Sequence, residues 1–245
     1  MKRLILLLSL AVLAPSSLAD VFMKQKQHSD GVTVMGHTQP PKDVVQTVWL
    51  SEDAIRTDDP EQSTIIDMNK NTWTMINHKT KSYTEMSMDL SKASGVKDMP
   101  AEEMAQFQNF MKNMMKVDIS VTETGESKTI NGWKCRKYVQ KIETAMGPSV
   151  TTIWATQDLD VDQDISARLT ASLLAQQPGF RESMDAMMAE MKKIKGVAVL
   201  SETNMTLMGK EIKSSTELIE CREAKAPAGT FDVPGGYKKR DQPDF

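Results

Sequence analysis

The sequence predicts a mainly β protein of the α+β class, with one curved antiparallel sheet or open half-barrel and about three helices packed over its concave face. Turn signals recur roughly every 8 to 12 residues in the first mature part and again after residue 117, as in antiparallel sheets. Two intervening stretches change to a helical period. Strands and helices occur in blocks without βαβ alternation, which argues against a parallel sheet. A sheet of about ten strands is expected to curl.

The predicted elements follow from local patterns along the chain. A hairpin is predicted to join Ser63–Asp67 to Thr72–Asn77 around a polar turn. A first helix is predicted over 100–116, where a proline occupies the favourable N1 position. Two more helices are predicted over 164–177 and 181–195, and a glycine follows each of them. Apolar residues at helical spacing support the first and third helices.

Residues 1–19 have the pattern of a secretory signal peptide. A basic pair precedes an apolar run from Leu4 to Leu13, and small residues lead to a cleavage site between Ala19 and Asp20. The alternative is an uncleaved anchor, but this run is far shorter than the about 20 residues that cross a bilayer. We therefore predict a periplasmic or secreted protein without a transmembrane anchor. Since no Cys follows the cleavage site, no lipid anchor is expected either.

The mature chain is predicted to form one β-rich domain over residues 20–238, followed by a loose tail at 239–245. No internal repeat and no linker between domains interrupts the pattern. The tail prediction depends on the prolines and glycines after Ala224 and on the charged residues near the end.

Composition and motifs exclude several functions. The 30 Lys and Arg residues against 33 Asp and Glu give a net charge of −3, so no basic face for nucleic acid is expected. No zinc-protease spacing, nucleophile elbow, phosphate loop or dinucleotide-binding motif occurs in the sequence. We therefore predict a non-enzymatic protein with no cofactor. His78, in a polar turn, is predicted to be solvated.

Alternating carboxylates at Asp158, Asp160, Asp162 and Asp164 leave two interpretations open. Such a run supplies the oxygen ligands that calcium prefers, although Gln163 stands where a calcium loop needs glycine. Alternatively, the acidic turn caps the helix predicted from residue 164, because carboxylates are favourable at a helix N-terminus.

Cys135 and Cys221 are the only cysteines, and we predict that they form one disulfide because the chain is exported. On the chain-entropy model, closing a loop of this length contributes about 4 to 5 kcal/mol. The alternative is two separate buried thiols that act as small apolar side chains.

Methionine is the unusual component, with 19 residues against an aromatic content of 5%. Methionines recur at helical spacing on the first and third predicted helices. They fit ordinary packing of amphipathic helices, a plastic surface for an apolar ligand, or a Cu(I) site made of thioethers. The predicted ligand-lining residues are Met104, Phe107, Met111, Met114, Met187, Met188 and Met191 from the helices, with Trp49 and Trp73 from the sheet.

Three segments carry a resemblance to known families. The run GESKTINGWKCRKYV at 125–139 and the tail FDVPGGY at 231–237 resemble an uncharacterised family of exported bacterial proteins, a domain-of-unknown-function group. The run IIDMNKNTWTMINHKTKSY at 65–83 is similar to the strand pairs of the periplasmic lipoprotein carriers LolA and LolB. The resemblance implies an unclosed β-barrel with helices over its mouth and an apolar interior able to hold an acyl chain. It carries over no individual binding residue.

Three hypotheses about function follow. The first is a periplasmic non-enzymatic carrier or sensor that holds a lipid or another apolar ligand in a Met-lined cavity. The second is an envelope structural or assembly protein that has a filled core and acts through an envelope protein partner. The third is a periplasmic metal binder that uses methionine for Cu(I) or the aspartate run for calcium.

Overall fold

The computed structural model describes most of the chain after residue 19: residues 20–34, 37–88, 100, 103, 106, 117–145, 147–159, 161, 181–207 and 209–242. The predicted signal peptide and the predicted helix over 164–177 lie outside these residues. Of the predicted helix over 100–116, only Pro100, Glu103 and Gln106 are described, and Glu103 and Gln106 have helical backbone.

Within the described residues, the chain is dominated by β-strands. The strands of its first half are β1 (Val21–Ser29), β2 (Val32–Val34), β3 (His37–Gln39), β4 (Lys42–Leu50), β5 (Ala54–Asp58), β6 (Gln62–Asp67), β7 (Thr72–Asn77) and β8 (Ser82–Ser87). The remaining elements are β9 (Asp118–Ile130), β10 (Trp133–Thr144), β11 (Gly147–Thr156), α1 (Arg181–Met191), β12 (Val197–Leu207), β13 (Lys210–Glu223) and β14 (Lys238–Lys239).

Twelve of these strands form one open sheet in the order β14-β8-β7-β6-β5-β4-β1-β13-β12-β11-β10-β9, while β2 and β3 form a small separate hairpin. Every pairing is antiparallel except that of β14 with β8. Strand β1 lies between β4 and β13 and so joins the N-terminal strands to the C-terminal ones. The predicted mainly β, curved, unclosed antiparallel sheet is therefore confirmed.

The prediction of about three helices over the concave face is not confirmed, because α1 is the one helix with defined bounds in the described part of the chain. It lies against β9, which is an edge strand. The Val121 N–H of β9 donates to Glu190 Oε2 of α1 at 2.7 Å. The helix therefore supplies an acceptor to an edge N–H that has no partner strand on that side.

Gly196 ends the turn that follows α1, at the position where the sequence predicts the end of the helix. Its φ is +94°. A Cβ at this position would lie 1.9 Å from the Thr156 carbonyl oxygen. A side chain is excluded both by this close approach and by the left-handed backbone. The glycine thus lets the chain enter β12 directly beside the end of β11.

Two buried clusters hold the strands together. The larger one joins both halves of the sheet and contains Val21, Met23, Leu50, Cys135, Trp154, Val199 and Leu218. The smaller one contains Val121, Tyr138, Ile153 and Ala155, with Ile194 from the turn after α1 packed against it. On β10, Cys135 and Tyr138 face opposite sides of the strand, so the two clusters cover different surfaces there.

The β9–β10 hairpin turns at Asn131 and Gly132, whose φ values of 50° and 88° match a two-residue type I′ turn. The Asn131 side-chain amide donates to Glu217 Oε1 at 3.0 Å and to the Leu218 carbonyl oxygen at 3.2 Å. Both acceptors belong to β13, so these bonds tie the tip of the hairpin to a central strand.

The chain after β13 returns to the first half of the sheet. Strand β14 pairs in parallel with β8, and the Arg240 N–H donates to the Tyr83 carbonyl oxygen at 2.8 Å. The boundary predicted between residues 238 and 239 therefore falls inside this short strand.

Candidate functional site

A row of apolar side chains crosses six neighbouring strands on one face of the sheet, which we call the Leu50 face. Residues that pair directly across antiparallel strands share a face, and the pairing from β1 through β8 contains no register shift. The row consists of Val21, Leu50, Ile55, Ile66, Trp73 and Met86.

Exposure rises along this row. Val21 and Leu50 are 0% and 5% exposed within the larger core cluster, whereas Trp73 is 44% exposed. Covering the exposed part of an indole contributes on the order of 2 kcal/mol, at about 25 cal/mol per Å² of apolar surface. The row thus begins as protein core and ends as an apolar surface that can bind another molecule.

Trp49, the second tryptophan predicted to line the site, lies on the opposite face of the sheet, which we call the Trp49 face. It pairs across the strands with Phe22 and Arg56, and its ring centroid is 5.0 Å from that of Phe22. The Arg222 guanidinium lies 4.7 Å from the Phe22 ring. The structure therefore does not bring Trp49 and Trp73 together.

The predicted methionine surface is described only on α1. Met187 is buried, and Met188 and Met191 are partly buried. The other predicted lining residues, Met104, Phe107, Met111 and Met114, lie outside the described residues. Ligand contact by any of these side chains stays a prediction.

The predicted disulfide is not found, because Cys135 and Cys221 are both free thiols. Cys135 lies on β10 and Cys221 on β13, with β11 and β12 between them. Three strand spacings amount to about 14 Å along the sheet, far beyond the about 7 Å between Cα atoms that a disulfide spans. Burial raises the pKa of both thiols, that of Cys221 to about 11.

A chain of polar contacts on the Trp49 face holds the C-terminal segment, and we call its five residues the clasp: Arg56, Asp58, Ser63, His78 and Tyr237. The Tyr237 hydroxyl lies 2.9 Å from His78 Nδ1, and His78 Nε2 lies 2.6 Å from Ser63 Oγ. Ser63 Oγ contacts the Asp58 carboxylate. Arg56 Nε lies 2.8 Å from each Asp58 carboxylate oxygen.

Arg56 also reaches the C-terminal segment directly. Its Nη1 donates to the Thr230 carbonyl oxygen at 2.8 Å and to the Asp232 carbonyl oxygen at 3.1 Å. The guanidinium therefore joins a carboxylate on its own strand to two backbone acceptors more than 170 residues away. A planar fork of donors can make several such bonds at once, whereas an ammonium cannot reproduce the geometry.

One proton arrangement satisfies every contact in the clasp. Tyr237 donates to His78 Nδ1, the protonated Nε2 of His78 donates to Ser63, and Ser63 donates to Asp58. Ser63 is only 2% exposed, and its proton is directed to Asp58 rather than to the imidazole. This arrangement is that of a structural clasp and not of a nucleophile activated by a base.

The clasp corrects the prediction that His78 is solvated. That prediction considered only the polar turn, whereas the contacts come from Ser63 on β6 and from Tyr237 near the C-terminus. A usable signal was nevertheless present in β5, where Arg56 is the one cation in a strand of five residues.

The described part of the chain contains neither a metal-binding group of side chains nor a membrane-spanning helix. No group of three His, Cys, Asp or Glu side chains there is arranged to hold a metal ion. Of the predicted aspartate run, only Asp158 is described, and its carboxylate accepts the Lys134 N–H at 2.9 Å. No helix in this part of the chain has the length and apolar character needed to cross a bilayer.

These features define a β-rich protein with an open twelve-stranded sheet, an apolar row on one face and a clasped C-terminal segment on the other. The chain belongs to the family described as domain of unknown function DUF4412, whose sequence model matches residues 30–237. The predicted membership of a domain-of-unknown-function family is therefore confirmed. No curated protein matches the chain.

Two solved structures align with most of the chain. One is an outer membrane lipoprotein-sorting protein domain from Vibrio parahaemolyticus, with 8% identity, a TM-score of 0.34 and coverage of 87% of this chain and 89% of the other. The second is a DUF1329 family protein from Desulfovibrio piger, with 8% identity, a TM-score of 0.33 and coverage of 89% and 91%. Similarity at this level carries no information about a ligand.

Proposed function

We propose that this protein is an exported, non-enzymatic carrier or sensor that binds the acyl chain of a lipid along the Leu50 face. The observation that carries the proposal is the apolar row that leaves the core and includes the 44% exposed Trp73. The export part of the proposal is supported by the signal-peptide pattern of residues 1–19.

The shape of the row favours an extended chain over a compact ligand. Beyond the buried Val21 and Leu50, the row continues from Ile55 on β5 to Met86 on β8, and three strand spacings of about 4.8 Å make this part about 14 Å long. The flanking row on the same face continues the apolar surface at Val48 and Met75, with threonines between them. A long, narrow, mostly apolar strip fits a flexible hydrocarbon chain better than a rigid ring system.

The second candidate is an envelope assembly protein that uses the same surface to contact a protein partner. It is favoured by the filled end of the row, where Val21 and Leu50 pack into the core cluster and leave no room for a ligand. The two candidates differ in what covers Trp73, a lipid or a protein side chain.

Binding of a neutral lipid distinguishes the carrier from the assembly protein. We would titrate the mature protein, beginning at Asp20, with monopalmitin and follow binding by calorimetry. The test variant is Trp73→Gln, and Trp73→Phe is its conservative partner. The matched control is Val45→Gln, because Val45 is also 44% exposed but lies on the Trp49 face.

We expect Trp73→Gln to weaken monopalmitin binding at least about tenfold, because covering the indole is expected to contribute on the order of 2 kcal/mol. Trp73→Phe should retain most of the affinity, and Val45→Gln should match the wild type. No binding to the wild type, or equal losses in Trp73→Gln and Val45→Gln, would contradict the carrier proposal. Unfolding midpoints of all variants identify any loss that comes from misfolding.

A further inference from the structure

A cleft of about 580 Å³ opens beside the edge strand β9, between β9, β10 and the turn after α1. Three cationic side chains line it: Lys134 and Arg136 from β10, and Lys195 from the turn. Asp158 is the one carboxylate among its described lining residues. The sequence separates these cations by as many as 61 residues, and the fold brings them together.

The positive charge of the cleft is only partly neutralised by the protein itself. Arg136 Nη1 pairs with Glu123 Oε1 at 3.0 Å in an exposed contact, and such pairs contribute little. Asp158 already accepts the Lys134 backbone N–H. Among the described residues, no carboxylate lies within ion-pair distance of the Lys134 or Lys195 ammonium group. Among the described residues, the cleft therefore carries more cations than carboxylates, and an anion can balance the difference.

The Lys128 ammonium lies on the other face of the sheet. Lys128 pairs with Cys135 across the strands, and its Nζ lies 4.0 Å from the centroid of the Trp154 ring. Lys134 and Arg136, one position to either side of Cys135 on β10, face the opposite way. The charge of the cleft therefore comes from Lys134, Arg136 and Lys195.

The same edge of the sheet already binds an internal anion. The Glu190 carboxylate accepts the Val121 N–H at 2.7 Å through one oxygen and contacts Lys193 Nζ at 2.5 Å through the other. The contact with Lys193, and then the Val121 N–H, hold the pKa of Glu190 below its usual value. Six residues further along β9, the cleft begins, and Asp158 is the one carboxylate among its described lining residues.

We propose that this cleft is a phosphate-binding site, with Lys134 and Lys195 as its principal contacts. Its ligand is either a free phosphate or the phosphate of a lipid headgroup, because both present the same oxygens to the lysines. The proposal does not require the Leu50 face to bind a lipid, and inorganic phosphate, which has no apolar part, tests it separately.

The test is a titration of uniformly ¹⁵N-labelled mature protein with inorganic phosphate at constant ionic strength, followed by the amide resonances of Lys128, Lys134 and Cys135. The test variant is Lys134→Gln with Lys195→Gln. The matched control is Lys141→Gln with Lys225→Gln, which removes the same charge from two exposed lysines outside the cleft. A second arm uses dihexanoylphosphatidylglycerol below its micelle concentration.

We expect phosphate to shift these amide resonances in the wild type and in the control, and the test variant to weaken binding at least about tenfold. Added salt should weaken it further, because exposed charges are screened. Tight lipid binding that depends on the two lysines assigns the headgroup as the source, and binding of phosphate alone assigns the free anion. Binding of neither, or equal losses in the test and control variants, overturns the proposal. Unchanged unfolding midpoints show that both variants remain folded.

Discussion

The Tyr237 hydroxyl lies 2.9 Å from His78 Nδ1, and this contact fastens the C-terminal segment to the β7 end of the sheet. The two rings meet edge to face with centroids 5.8 Å apart. Beyond Tyr237 the chain forms β14 on the β8 edge. The contact thus lies where the segment that crosses the Trp49 face becomes part of the sheet.

Tyr237→Phe should destabilise the protein by about 1 kcal/mol, because it removes one hydrogen bond and leaves His78 Nδ1 without its donor. For a chain of this length, that corresponds to a fall in Tm of about 2 to 4 °C. The measurement is thermal unfolding followed by circular dichroism. The matched control is Tyr83→Phe, whose hydroxyl belongs to the neighbouring strand β8 and takes no part in the clasp. Equal Tm values for Tyr237→Phe and the wild type would contradict this role.

Arg56→Lys should cost about 2 kcal/mol, more than the loss of the tyrosine hydroxyl. A lysine cannot contact Asp58 with two donors and reach the Thr230 and Asp232 carbonyl oxygens at the same time. Urea unfolding measures the difference. Arg222→Lys is the control, since Arg222 is half exposed, pairs with Glu220 through its Nε and lies over the Phe22 ring, outside the clasp. Equal unfolding free energies for the two lysine variants would show that Arg56 has no special role in holding the C-terminal segment.

His28 gives the protein a pH-dependent contribution to stability near neutrality. Hydrogen bonds that His28 donates to the Asp43 carboxylate, and then to the Asp30 carboxylate, raise the pKa of His28 above its usual 6.5. A raised pKa means that the folded state holds the proton more tightly, so the contribution is complete below pH 6.5 and is lost as the pH rises through the folded pKa.

The stability difference between the wild type and His28→Gln should therefore be larger at pH 5.5 than at pH 8.5. Asp43→Asn should return the His28 pKa towards 6.5, which NMR titration of the imidazole measures directly. A His28 pKa below 6.5 in the wild type would refute the assignment.

Both cysteines should remain reduced and unreactive in the native protein. Cys135 is 1% exposed, and burial raises the pKa of Cys221 to about 11, so little thiolate is present at pH 8. We expect slow alkylation of native protein and rapid alkylation of two thiols after unfolding. A mass about 2 Da below that of the dithiol, without added oxidant, would instead indicate a disulfide between the two cysteines that the strand order holds apart.

Local patterns in the sequence were sufficient where a feature depends on neighbouring residues. The hairpin predicted from Ser63–Asp67 and Thr72–Asn77 is found as β6 and β7, because its polar turn and its alternation are both local signals. The third predicted helix is found as α1, followed by Gly196.

Features that depend on distant residues were not accessible from the sequence. The pairing of β1 with β13 joins residues almost 200 positions apart and sets the strand order that keeps Cys135 from Cys221. The contact of His78 with Tyr237 spans 159 positions, and the polar turn around His78 gives no sign of it. The cationic cleft likewise combines cations from β10 and from the turn after α1, and neither local pattern marks a site.

The central claim is that the Leu50 face carries a lipid. Its most direct test is native mass spectrometry of the mature protein isolated from the periplasm, followed by organic extraction and lipid analysis. We predict a stoichiometric lipid adduct that is retained by Val45→Gln and lost from Trp73→Gln. A ligand-free mass for the wild type, unchanged after incubation with lipid extract, would contradict the claim and favour the envelope assembly protein.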